Sequence, residues 1–221
     1  MRRHLDAGYT MLKMKIGGLP LDEDLRRVEA VLAVVGSGDR LAVDANCRVE
    51  RAEALRYAEA LAPFNLRWFK EPCDPLDFAM LSDLAAVYEP PLAAGENLFS
   101  TQDVEHLVRF GGWRSDRDVI QIDPPQAYGI VQFARTLDML KREGWLRSAL
   151  FPHLGNQMSL AVAAGLGLGG AESYPGVFGD FGGFADDGRV ENGALTLSDR
   201  PGIGFEGQGA LYSIMRDLAG S

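Results

Sequence analysis

The sequence predicts an α/β fold of the (β/α)8 TIM-barrel type that lacks the first strand. Three observations carry the prediction. Short apolar runs alternate with amphipathic stretches along the chain. Ionisable residues close those runs at intervals of roughly 25–30 residues, about one βα unit each. Seven runs can be counted, where a closed barrel needs about eight.

The first element, Met1–Gly8, reads as the end of a helix. Strands are then predicted at Met11–Ile16, Leu41–Ala45, Leu66–Phe69, Pro91–Gly95, Asp118–Ile122 and Ala149–Pro152, with a weaker one near Ala171–Tyr174. Helices are predicted between them. Leu21, Leu25, Val28 and Leu32 mark Leu21–Val35, with acids in its first turn. The others are Ala52–Leu61, Asp77–Val87, Thr101–Phe110, Ile130–Arg142 and Gln157–Leu168. Ser100 and Asn156 suit N-caps, and Gly36 and Gly111 suit helix stops. Residues 1–175 thus form the predicted barrel. Residues 176–221, rich in glycine and aspartate with a weak strand signal at Ala194–Leu197, form a tail packed on it or on a missing part.

Composition narrows the function. Apolar residues at 47% and charged residues at 24% describe a globular chain able to build a core. A net charge of −9 argues against nucleic acid and membrane surfaces as partners, but not against a small anion in a locally positive mouth. Cys47 and Cys73 match neither a disulfide framework nor a zinc spacing. With no signal peptide or apolar run long enough for a membrane span, a cytoplasmic location is expected.

The strand ends carry the chemistry. Lys15, Asp44, Glu71, Glu96, Asp123 and His153 close successive strands, and Glu172 falls at the weak seventh. In a parallel barrel such residues converge on one mouth. Three carboxylates from consecutive strands, Asp44, Glu71 and Glu96, would repel one another unless a hard divalent cation such as Mg2+ joined them. Lys13 and Lys15, two apart on one strand, face the same side, and each would depress the other's pKa. That suits a lysine acting as a base. Asp123 beside His153 would orient the imidazole and support its charged form. Strand parity is taken to point Lys70 away from the mouth. The glycines at 165, 167, 169 and 170 end a helix, so they read as close packing rather than a phosphate cradle.

Together Lys13-Met-Lys15, Asp44-Ala-Asn46, Lys70-Glu71-Pro72, Gly95-Glu96-Asn97 and the Asp123–His153 pair resemble the enolase superfamily, in its mandelate racemase and muconate lactonizing enzyme branch. The runs Gly95–Ser100, Ala164–Gly170 and Glu172–Pro175 are similar to those of D-tartrate dehydratase and its relatives. The resemblance implies a Mg2+-dependent hydro-lyase acting on a small anionic hydroxy acid, with Asp44, Glu71 and Glu96 as metal ligands. Lys15 would take the α-proton, Lys13 would tune it and hold the carboxylate, and His153, oriented by Asp123, would protonate the departing β-hydroxyl. Glu172 would hydrogen-bond the carboxylate. The enediolate intermediate would be stabilised by the metal, as is general for such sites. The alternatives left open are a racemase or epimerase and a non-catalytic barrel fragment. The resemblance also implies an N-terminal capping domain, expected to be missing here, and a homo-oligomer in the full-length form.

Overall fold

The structure, a computed structural model, describes residues 1–197 and 199–220. Its centre is a five-stranded parallel sheet in the order β1 (Leu12–Lys15), β2 (Leu41–Asp44), β3 (Trp68–Lys70), β4 (Leu92–Ala94) and β5 (Val119–Ile120). A short helix α1 (Arg2–Asp6) precedes β1. Helices α2 (Leu21–Val35), α3 (Arg51–Leu61), α4 (Phe78–Val87) and α5 (Thr101–Phe110) connect the strands in turn, and α6 (Ile130–Arg142) and α7 (Gln157–Leu166) follow.

The helix ends follow from local chemistry. In α2, Asp22, Glu23 and Asp24 lie in the first turn, where the helix dipole favours negative charge. Gly36 ends α2 at φ 91°, a conformation in which a Cβ is costly. Asp24 also ties this helix to its surroundings, accepting from the Gly17 amide at 2.6 Å and the Tyr57 hydroxyl at 2.9 Å. Ser100 and Asp103 form a reciprocal capping box on α5, and Asn156 caps α7 through the Ser159 amide.

The sheet is buried on both faces, as a parallel sheet must be. The outer core packs Val43, Phe69 and Leu92 against Val28, Tyr57 and Leu84 of the helices. A second, smaller cluster of Ala42, Trp68, Ala93, Val119 and Phe151 lies on the other face. Its members come from four successive strands and the segment beyond α6. A flat sheet could not bring Trp68 and Phe151 rings to 5.4 Å, so the sheet curls as a barrel wall.

The last two predicted strands are reduced. The sixth survives as a single bridge, Ile120 with Leu150, and the Phe151 amide donates to Ile120 O at 3.0 Å. The seventh is not a strand; the Glu172 amide donates to Pro152 O at 3.0 Å. Pro152 itself has no amide to extend the ladder. Among the described residues β1 pairs only with β2, and side chains close its other edge. Tyr9 bonds Ser173 at 2.7 Å, and Lys13 bonds Glu172 at 2.6 Å and Tyr174 at 2.7 Å. A cavity of about 350 Å³ lies along this seam between Leu12, Trp68, Phe151 and Val190.

The C-terminal part is more ordered than the sequence suggests. Val190–Glu191 (β6) and Ala194–Leu195 (β7) form an antiparallel hairpin, and the Gly193 amide donates to Gly8 O at 2.7 Å. Helix α8 (Gly209–Ala219) was not expected: glycines surround its start and no side chain caps it. Gln157 anchors the segment to α7, donating to Ile203 O at 2.9 Å and accepting from the Ala185 amide at 3.0 Å. The glycines after α7 act in packing: a Cβ on Gly169 would sit 2.1 Å from Ser148 O.

Candidate active site

The C-terminal strand ends gather six ionisable side chains around Asp44. Asp44 is fully buried, and its Oδ2 lies 3.0 Å from Lys13 Nζ, 2.7 Å from Lys15 Nζ and 3.1 Å from Lys70 Nζ. Its Oδ1 accepts from the Asn46 amide at 3.0 Å, closing a tight turn after β2. Burial alone would raise the Asp44 pKa. The charges of Lys70, Lys13 and Lys15 outweigh it and hold the carboxyl well below its ordinary range.

Lys70 continues the connection. Its ammonium bonds Glu96 Oε2, while His153 Nε2 lies 3.3 Å from the same oxygen. Asn46 donates to Glu96 Oε1 at 3.2 Å and accepts from Lys15. Lys15, Asp44, Lys70, Glu96 and His153 therefore form one continuous polar path across the mouth. Of these, Lys15 is the most open, with half of its side chain exposed.

The position of Lys70 corrects the parity argument. Phe69 belongs to the outer core, between the rings of Tyr57 and Tyr88, so its neighbours Trp68 and Lys70 face the barrel interior. Register says the same, because Asp44 pairs with Lys70 across β2 and β3. The signal was available in the run Trp68-Phe-Lys70: fixing Phe69 outward fixes Lys70 inward.

Glu71 is placed elsewhere. Its backbone takes φ 47°, and its carboxylate is engaged by the Gly95 amide at 3.1 Å, Asn97 Nδ2 at 3.1 Å and Cys47 Sγ at 2.5 Å. The expected convergence of Asp44, Glu71 and Glu96 is thus not formed. Among the described residues no group of three His, Cys, Asp or Glu side chains is placed to hold a metal ion.

On the seam side, Glu172 accepts from Lys13, Tyr174 and Gln121 Nε2, the last at 3.0 Å. Burial opposes charge on both members of this pair. Even so, Glu172 and Asp44 raise the Lys13 pKa, and Lys13 and Lys70 lower that of Glu172. The two neighbouring lysines therefore do not depress Lys13, because carboxylates lie between them. Gln121 gives no signal in the sequence because a neutral carboxamide carries no charge, and Asn46 and Tyr174 stand only inside the motifs that carry the resemblance, with no role of their own expected.

Asp123 and His153 face each other at 3.9 Å, longer than a hydrogen bond. Asp123 Oδ1 is bonded by Ser159, whereas Asp123 Oδ2 and His153 Nδ1 are buried without a hydrogen-bond partner. Burial pushes the Asp123 carboxyl up to about 7. Burial also brings His153 down to about 4, aided by Lys70 and Lys13. The pair therefore favours neutral imidazole beside a carboxyl near its titration point, rather than the expected charged imidazolium.

These features define a parallel α/β sheet of the barrel type with ionisable side chains gathered at its C-terminal mouth, where barrel sites lie. The chain belongs to the Enolase C-terminal domain-like family, whose profile matches residues 1–210. It is 32% identical over 200 residues to L-talarate/galactarate dehydratase of Salmonella typhimurium, covering 90% of this chain and 48% of that protein. It is 28% identical to arabinonate dehydratase of Saccharolobus solfataricus, covering 91% of this chain and 54% of the relative. The crystal structure of the Salmonella typhimurium LT2 dehydratase liganded with Mg and L-lyxarohydroxamate superposes with a TM-score of 0.79 at 30% identity, over 92% of this chain and 50% of the other. The chain spans about half the length of the curated relatives it matches.

The Salmonella typhimurium LT2 structure holds Mg. The residues of this chain do not fit a three-carboxylate magnesium centre. An ammonium, Lys70, occupies the interval between Asp44 and Glu96, and the third carboxylate is engaged by Cys47, Asn97 and Gly95.

Proposed function

We propose that this site acts on a small hydroxy acid of the acid-sugar class, removing the proton α to its carboxylate and expelling the β-hydroxyl. The observation that carries the reading is the polar path with an accessible amine, Lys15, at one end and an imidazole, His153, at the other. The similarity to sugar-acid dehydratases supports it.

In this reading Lys15 takes the α-proton, since half of its side chain is open to a ligand in the mouth. Lys13 stays an ammonium and meets the substrate carboxylate, on which negative charge grows as the C–H bond breaks. The C–O bond at the β-carbon then breaks. The departing hydroxide takes the proton that the Asp123–His153 pair holds, delivered from His153, and leaves as water. The enol product tautomerises to a 2-keto acid. Glu172, held by Gln121 and Tyr174, fixes the Lys13 ammonium.

The test is incubation of the protein with a panel of D-tartrate, galactarate, talarate and arabinonate, followed by carbonyl derivatisation. A 2-keto acid from at least one of them, lost in Lys15→Ala, is expected. No keto acid from any, with α-hydrogen exchange in D2O, would replace dehydration by racemisation.

A further inference from the structure

The interior of the mouth is charge-balanced by the chain itself. Three ammonium groups, Lys13, Lys15 and Lys70, meet three carboxylates, Asp44, Glu96 and Glu172. Two of these partners matter most. Asp44 and Glu96 end strands on either side of β3, and between them stands Lys70, with no exposed side-chain surface. Its register partner is Asp44 itself. Of the further acids near this position, Glu172 is held by Lys13, Tyr174 and Gln121, and Glu71 has its oxygens held by a backbone amide, a carboxamide and a thiol.

We propose that the Lys70 ammonium is a built-in cation: it takes the place of a divalent ion between Asp44 and Glu96, and the centre of this chain does not bind Mg2+. Entry of a divalent ion would set two positive charges beside an ammonium with no exposed side-chain surface. It would find two carboxylates already paired and no third one directed at it. Hard divalent cations need several oxygen ligands and give up their own water reluctantly, so a paired two-carboxylate site offers them little. The inference is independent of the reaction proposed above, because it concerns which cation fills the site and not what is turned over.

The experiment uses Mn2+ as the probe, read by electron paramagnetic resonance and by the thermal midpoint, on the 221-residue protein and two variants. Unaltered protein is expected to leave the free Mn2+ signal and the midpoint unchanged at low millimolar metal. Lys70→Glu places a carboxylate in register with Asp44. It is expected to bind one Mn2+ at least about 100-fold more tightly than the unaltered protein, the upper end of what even outer partners of a metal site contribute. Its midpoint is expected to rise with Mn2+. Lys70→Met, which removes the ammonium and adds no acid, covers the case in which Lys70→Glu does not fold even with metal; it is expected to gain a weaker Mn2+ response. Two results would overturn the proposal. One is a single Mn2+ bound by unaltered protein and lost in Asp44→Asn. The other is a folded Lys70 variant that binds no more Mn2+ than unaltered protein does.

Discussion

Replacing Asp44 by Asn tests the electrostatic centre of this fold. The substitution keeps the shape and one acceptor oxygen but removes the charge on which three ammonium groups converge at 2.7–3.1 Å. The three losses differ in weight. Lys15 is half exposed, so water replaces most of its partner, and its share is about 0–1 kcal/mol. Lys13 keeps Glu172. Lys70 has no exposed surface and keeps only Glu96. Removing one partner from a buried ion pair costs about 3–5 kcal/mol, because the other charge stays in a poorly solvating place. Asp44→Asn should therefore lower the free energy of unfolding by about 3–5 kcal/mol, a large part of an ordinary domain's stability. The assay is urea unfolding at pH 7 followed by far-ultraviolet circular dichroism, with the m-value unchanged from the unaltered protein. Asp83→Asn is the control. Its partner Arg51 and Asp83 itself are both about half exposed, so the loss there should stay below about 1 kcal/mol. A loss below about 1 kcal/mol for Asp44→Asn as well would show that Lys70 does not depend on Asp44 for its charge.

Three further outcomes are expected. Asp123 has a folded-state pKa near 7, above its ordinary value of 3.8, so its contribution to stability is full below about pH 4 and lost as pH rises through 7. Asp123→Asn should gain on the unaltered protein across that window by about 2–4 kcal/mol; pH-dependent urea curves would show it, and parallel curves would count against a strained carboxyl. Ser100→Ala removes one arm of the capping box on α5 and should cost about 1 kcal/mol in the same assay, with Ser115→Ala as a neutral surface reference. Leu84→Ala opens the fully buried layer between α4 and the sheet and should cost about 2–5 kcal/mol, read as a lowered thermal midpoint.

The alternation of strands and helices was legible because each βα unit carries its own local signals. Leu21–Val35 shows them together: apolar spacing, acids at its start and Gly36 at its end. The capping residues Ser100 and Asn156 were legible for the same reason. What depends on distant partners was not. The run Ala149–Pro152 has strand composition, but Pro152 and the lack of a paired neighbour reduce it to one bridge. Helix α8 hides behind glycines whose role is set by packing, not by propensity. At the site, the side chains of Lys13, Lys15, Asp44, Glu96, His153 and Glu172, all singled out by charge at strand ends, lie in one connected group. The same signal misjudged Lys70 and Glu71, because one positive-φ residue at the end of β3 decides which of two adjacent charges enters the mouth. Asp123 and His153 lie 3.9 Å apart, without the hydrogen bond expected between them. Their protonation was not legible, since it follows from burial rather than from sequence adjacency.

Lys15 and His153 are proposed as the base and the acid of one α-proton reaction on a hydroxy acid. The most direct measurement is proton nuclear magnetic resonance of the acid-sugar panel in D2O with the unaltered protein, Lys15→Ala and His153→Asn. Loss of the α-hydrogen signal together with 2-keto acid is expected in the unaltered protein. α-Hydrogen exchange without elimination is expected in His153→Asn, and neither in Lys15→Ala. Exchange that persists in Lys15→Ala, or normal elimination in His153→Asn, would contradict these roles.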